Sequence, residues 1–133
     1  MIAPAAWRAE HDALLARAMA KDPMETTATL RAEVEAGRAH LIQVSDPETC
    51  APVGAAVLRI EQRERGLEGV IVATAGVRGA GVRLLDLLPE LERRLIAAGC
   101  VSIRVHPSRP GMLKFCLRAG YKPREWVLGK AVA

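Results

Sequence analysis

Aromatic side chains are nearly missing from this chain of 133 residues: one Phe, one Tyr and two Trp make up 3% of it. A close-packed core must therefore be built mainly from Ala, Val, Leu and Ile. Cysteine is scarce as well. Cys50, Cys100 and Cys116 are odd in number and far apart, with no Cys-x-x-Cys pair and no histidine at ligand spacing, so no structural zinc and no other metal is expected. No segment approaches the roughly 20 consecutive apolar residues that cross a bilayer. The N-terminus also lacks a basic stretch followed by an apolar run. The chain is expected to stay in the compartment where it is made, the cytoplasm, with no membrane partner. Lysine and arginine form no runs and are not interleaved with aromatics, which argues against specific nucleic-acid binding.

What is present is the balance of a globular protein, with 50% hydrophobic and 26% charged residues. The length suits one core, so residues 1–133 are read as a single domain. A net charge of +4 carried mostly by arginine implies either an anionic partner, such as a phosphate-bearing cofactor, or simple solubility.

Apolar Trp7, Leu14, Leu15 and Ala18 fall at helical spacing within Ala5–Met19. Asp22-Pro23-Met24-Glu25 reads as a capping-box start for a second helix that runs to Gly37. Three strands follow, His40–Val44, Val53–Glu61 and Leu67–Ala73, the last two joined as an antiparallel hairpin through the charged turn Arg63–Gly66. The apolar stripe Leu84, Leu85, Leu87, Leu88, Leu91, Leu95 and Ile96 marks the main buried helix, interrupted by Pro89 and capped by Gly99. Val101, Ile103 and Val105 alternate with Ser102, Arg104 and His106, the pattern of a strand with one buried face. A short helix from Ser108 to Gly120 and a final strand, Tyr121–Val132 with Trp126 anchored in the core, complete the order α-α-β-β-β-α-β-α-β.

The informative segment is Thr74-Ala75-Gly76-Val77-Arg78-Gly79-Ala80-Gly81, which joins a strand to the N-terminus of the main helix. Such a junction presents backbone N–H groups backed by a helix dipole, a setting that suits phosphate. Glycine lets the main chain approach an anion closely, and Arg78 can add a charge-assisted contact. A P-loop is excluded because no Gly-Lys-Ser/Thr ending follows. A dinucleotide-binding fingerprint fits poorly because three meandering strands come first. A glycine-rich turn with no ligand is the remaining reading.

The whole order of elements, from about Ala5 to Val132, resembles the GNAT family of acetyltransferases. That family's pyrophosphate loop reads Gln/Arg-x-x-Gly-x-Gly/Ala, and Gly76-Val77-Arg78-Gly79-Ala80-Gly81 matches both glycine positions with Gly76 at the first. Leu113-Lys114-Phe115-Cys116-Leu117-Arg118-Ala119-Gly120-Tyr121 is similar to the family's Phe-Tyr-x-x-x-Gly-Phe segment, with Cys116 where a general-acid tyrosine is frequent. The stretch Gly99–Arg118 is also similar to that of small GNAT-like proteins encoded by bacteriophages, which would place the protein in the host cytoplasm and virion. The resemblance implies an α/β (α+β) fold with a mixed, mostly antiparallel sheet and helices on both faces.

It further implies acetyl-CoA as cofactor and an unidentified amine as acceptor, with no metal required. Acetyl-CoA would lie where the strand ending near Ala73 splays from Val101–Val105. The residues placed against it are Ala73, Thr74, Val77, Arg78, Gly79, Ala80, Gly81 and Arg109, the pyrophosphate resting on the N–H groups of Arg78 to Gly81. Direct attack by the amine needs a base, for which Glu61, Glu68 and His106 are the candidates, and an acid, for which Cys116 is the candidate. Against these stand plainer readings: a solvated strand face for Glu61 and Glu68, a surface histidine for His106, and a packed core thiol for Cys116. Tyr121 is expected to pack in the core. A GNAT-fold domain without chemistry, serving as a structural or interaction module, is the alternative, and an exposed sheet edge makes a homodimer or assembly partner a further expectation.

Overall fold

The meander read from the sequence forms within a larger sheet. The structure, a computed structural model, describes residues 1–19, 25–77, 79–81, 84–107, 109–125 and 128–132. Its elements are β1 (Ile2–Pro4), α1 (Ala9–Met19), α2 (Thr27–Glu35), β2 (Ala39–Ser45), β3 (Pro52–Arg63), β4 (Gly66–Gly76), α3 (Leu84–Ala97), β5 (Cys100–Val105) and α4 (Pro110–Arg118). The strands stand in the order β1-β2-β3-β4-β5, antiparallel up to β4, with β5 parallel to β4.

Two cores lie on opposite faces of this sheet, as helices on both faces require. Trp7, Leu15, Met19 and Leu30 of the α1/α2 layer pack on Leu41, Ala55, Val57 and Ala73. On the other face Leu87, Leu88, Leu91 and Leu95 of α3 pack on Ala56, Leu58, Ile71 and Cys100. The approach of α3 depends on one missing side chain. A Cβ at Gly69 would lie 2.7 Å from both Cδ atoms of Leu95, so only glycine lets α3 sit this close to β4. Pro89 occupies the exposed side of α3, where the Leu85 carbonyl it leaves without an N–H partner can be met by water.

Several expectations are corrected. The first helix starts later than expected, at Ala9, and residues 5–8 are not helical. Ile2–Pro4, not read as an element from the sequence, pairs with Ile42–Val44 as an extra strand, and Ala5 N–H continues the ladder to the Leu41 carbonyl. The expected cap at 22–24 lies outside the described residues, and the described α2 starts later, at a capping box made by Thr26 and Thr29. The period-two reading of β5 holds at Ile103 and Val105 and fails at Val101. Leu67 pairs with Cys100 and Glu68 with Ser102, so Val101 is the extra residue of a β-bulge and is 73% exposed, while Cys100, Ile103 and Val105 face α3.

No strand forms at 121–125 or 128–132, against the expected final strand. Pro123 has no N–H to give a ladder, and the Arg124 side chain is drawn to Glu68 and Ser102. Trp126, the expected anchor, lies outside the described residues. Among the described residues no helix is long and apolar enough to cross a membrane.

Candidate functional site

The parallel strands β4 and β5 stay paired only from Leu67↔Cys100 to Ile71↔Val105. Beyond Ile71, β4 continues to Gly76 with no strand on its β5 side among the described residues. A second bulge marks the point of departure: Val57 pairs with Ala73 and Leu58 with Ile71, leaving Val72 extra. In the unpaired stretch Val72–Gly76, alternate N–H and C=O groups point into the gap. Ala73 is buried against the α1/α2 layer and Thr74 is half-buried.

At the carboxyl end of β4 the chain makes a tight turn. Val77 N–H donates to the Val53 carbonyl at 2.8 Å, and Ala80 N–H returns to the Val77 carbonyl at 3.1 Å. Gly79 and Gly81 take φ of +82° and +77°, a region that side-chain-bearing residues avoid. Nothing lies within 4 Å of where a Cβ would stand on either glycine, so both open onto free space. Among the described residues their N–H groups have no intramolecular acceptor, whereas that of Ala80 is spent within the turn. Arg78 lies outside the described residues. Arg109 caps α4 with extended backbone, followed by Pro110 in the first turn, and its side chain makes no cap bond. Residues 77 and 79–81, like 106, 107 and 109, thus follow the carboxyl ends of adjacent parallel strands and precede helices, the crevice where open α/β sheets take ligands.

The backbone agrees with that of known acetyltransferases over the whole chain. A Trypanosoma brucei acetyltransferase superposes with a TM-score of 0.72 at 19% identity, covering 99% of this chain and 100% of its own. Glucosamine-6-phosphate N-acetyltransferase from Arabidopsis thaliana gives 0.67 at 10% identity, covering 100% and 99%. An aminoglycoside acetyltransferase from an uncultured soil metagenomic sample gives 0.65 at 17% identity, covering 100% and 97%. The fold is that of the GNAT acetyltransferases. No sequence-family model matches the chain, and no curated protein does.

Within this GNAT fold the candidate catalytic residues occupy three different environments. His106 is exposed immediately after β5, beside the gap. Cys116 is buried in α4, and burial, then the nearby Glu92 carboxylate, pushes its thiol up. Glu68 is buried too, not on a solvated face. Its Oε2 accepts from Arg124 Nη1 at 2.6 Å, and its Oε1 stands 3.4 Å from Arg104 Nη1 and 3.6 Å from Arg63 Nη1. The hydrogen bond from Arg124, then Ser102 and the charge of Arg104, hold its carboxyl below the ordinary range in spite of burial. Glu61, half-buried, accepts from Arg104 Nη2 at 2.9 Å.

Sequence reading missed two groupings. The Tyr121 hydroxyl donates to Glu92 Oε2 at 2.9 Å, and burial first, then that bond, raises its pKa. His11 is fully buried: its Nδ1 accepts from Arg8 N–H at 2.9 Å, which assigns the proton to Nε2, 2.8 Å from Gln43 Oε1. Its spacing of three residues from Arg8 at the start of α1 is the only signal the sequence held for His11.

Proposed function

We propose that the chain is an acetyl-CoA-dependent N-acetyltransferase that passes an acetyl group to an amine by direct attack. The observation that carries this reading is the gap that opens between β4 and β5 past Ile71, with the glycine turn at its mouth. The residues fit the ligand. A pyrophosphate beside Val77–Gly81 would meet the N–H groups of Gly79 and Gly81 and the positive end of α3, in the space a Cβ would fill. The exposed guanidinium of Arg109 adds charge from the neighbouring loop, and Arg78 of the turn itself is assigned the same role. Ala73 and Thr74 lie along the unpaired edge, whose N–H groups suit a polarised carbonyl.

Acetyl-CoA, when bound, supplies the activated acetyl thioester. The chain's own side chains divide the proton work. His106, exposed at the end of β5, takes the proton of the incoming amine. Cys116 holds its proton at neutral pH, the state from which a leaving thiolate is reprotonated. Glu68, ionised between three arginines, fastens β3, β4 and β5 below the gap and has little proton affinity to offer. The amine is left unassigned. The second reading, a GNAT-fold module without chemistry, for example in a phage particle, draws on Gly76 and Cys116 standing where the family has Gln/Arg and Tyr.

Calorimetric titration with acetyl-CoA and with CoA separates the two. Micromolar binding that falls at least tenfold in Gly79→Val and Gly81→Val is expected, together with amine-dependent thiol release. Turnover should drop about 10²-fold in His106→Ala with acetyl-CoA affinity unchanged. Equal affinity in both glycine variants would remove the loop assignment, and no binding at all would leave the module.

A further inference from the structure

β5 sends its side chains two ways. Cys100, Ile103 and Val105 pack under α3, which leaves Ser102 and Arg104 on the opposite face of the sheet. One further step of that alternation sets His106, the residue after β5, on the same side as Arg104. Arg104 pairs with Val70, one residue short of the point where β4 and β5 part, so it stands at the neck of the gap.

Val70 is buried, yet among the described residues it belongs to neither apolar core. Arginines flank it instead: Arg59 on β3, taken by Glu25 and Glu33, and Arg104 on β5. Arg104 Nη2 donates to Glu61 Oε2 at 2.9 Å, and its Nη1 lies 3.4 Å from Glu68 Oε1, a carboxylate that Arg63 and Arg124 also reach. Three guanidiniums thus share two carboxylates, an excess of one positive charge. With five N–H donors on each guanidinium and about four acceptor positions on each carboxylate, donors outnumber acceptors by roughly two to one. Arg104 Nε and Glu68 Oε1 are buried without a hydrogen bond among the described residues. The side chains of Arg63 and Arg124 are 49% and 53% exposed and turn the surplus donors towards solvent.

We propose that the amine acetylated at this gap carries an anionic group, a carboxylate or a phosphate, which docks on Arg104, Arg63 and Arg124 while the amine lies at His106, an inference that rests on the acetyltransferase reading. Neighbours on one face of a strand stand about 7 Å apart, so the acid sits several bonds from the amine. Planar guanidinium forks take either acid in paired, charge-assisted hydrogen bonds. Glu68, buried among the three arginines, gathers their forks into one place and leaves part of their charge for the ligand.

Steady-state transfer from acetyl-CoA to 6-aminohexanoate, to its neutral amide and to 4-aminobutyl phosphate tests this. For at least one of the two acids kcat/KM is expected to exceed that of the amide about tenfold or more, and the better of the two names the acid. In the full chain carrying both Arg63→Gln and Arg124→Gln, changes at half-exposed positions, the acid-to-amide ratio should fall to about one through a higher KM, with acetyl-CoA affinity retained as the sign of an intact fold. Acid and amide used equally well, a ratio that survives the double substitution, or no transfer to either acid by a protein that binds acetyl-CoA overturns the proposal and leaves the cofactor site standing. A protein that does not bind acetyl-CoA overturns the acetyltransferase reading, and the proposal with it.

Discussion

Replacing Gly69 by alanine inserts one methyl group where α3 rests on β4. That methyl would stand 2.7 Å from Leu95 Cδ1 and Cδ2 and 3.0 Å from Cγ, whereas carbon atoms pack best at about 3.5–4.0 Å. Something must move by roughly 1 Å. Leu95 is 2% exposed and shares its core with Leu88 and Leu91, so its side chain has no empty space to swing into. Overpacking of this kind costs about 1–3 kcal/mol, partly offset by about 0.4–1 kcal/mol from the stiffer unfolded chain. The net expectation is a loss of about 1–2 kcal/mol. Leu95→Ala alone should cost about 2–5 kcal/mol. The double variant is the decisive case, because the new methyl then occupies part of the cavity left by Leu95. It should be more stable than the sum of the single losses predicts, by about 1–3 kcal/mol. Urea unfolding of all four proteins at constant slope measures this. A neutral Gly69→Ala, or single effects that simply add, would refute the steric account of how α3 is seated.

The Glu68 cluster predicts a pH dependence. Its carboxyl is held below the ordinary 4.5, so its contribution is complete above that pH and is lost as the pH falls through the lower folded value. Glu68→Gln should therefore cost about 1–3 kcal/mol at neutral pH, with the difference from wild type shrinking on acidification below pH 4.5, as read by unfolding at several pH values. A difference that persists undiminished in acid would assign the loss to packing. Tyr121→Phe should cost about 1 kcal/mol by removing the bond to Glu92, while leaving calorimetric acetyl-CoA affinity unchanged. A fall in that affinity would mean that Tyr121 reaches the ligand gap.

Periodic elements were readable because period and burial coincide. The stripe of α3 reports one buried face, and the apolar runs of β2 to β4 report strands covered on both faces. What the sequence hid depended on distant partners. β1 is three residues ending in proline and exists because Ser45 N–H donates back to the Met1 carbonyl. A polar residue alternating in a strand reads as solvated, yet Glu68 is buried because Arg63, Arg104 and Arg124 arrive from three separate segments. The bulge at Val101 likewise has no local mark, and it puts Cys100 in the place the alternation gave to Val101. In the candidate site the glycines were legible and their left-handed backbone followed. The loss of the Ala80 N–H to an internal turn was not, since it is decided by how the loop closes.

The sheet divides the molecule into two layers whose cores are distinct, one under α1 and α2, the other under α3 and α4. The glycine turn leads into α3 and the Arg109 loop into α4, whereas Val72, Ala73 and Ala75 on the free edge of β4 pack with the first layer. The two sides of the gap therefore rest on different cores, and a change in either core's packing reaches it. For anyone redesigning the chain, randomising the side chains under α1 and α2 also perturbs the β4 edge of the gap, so such libraries need compensating changes around Ala73.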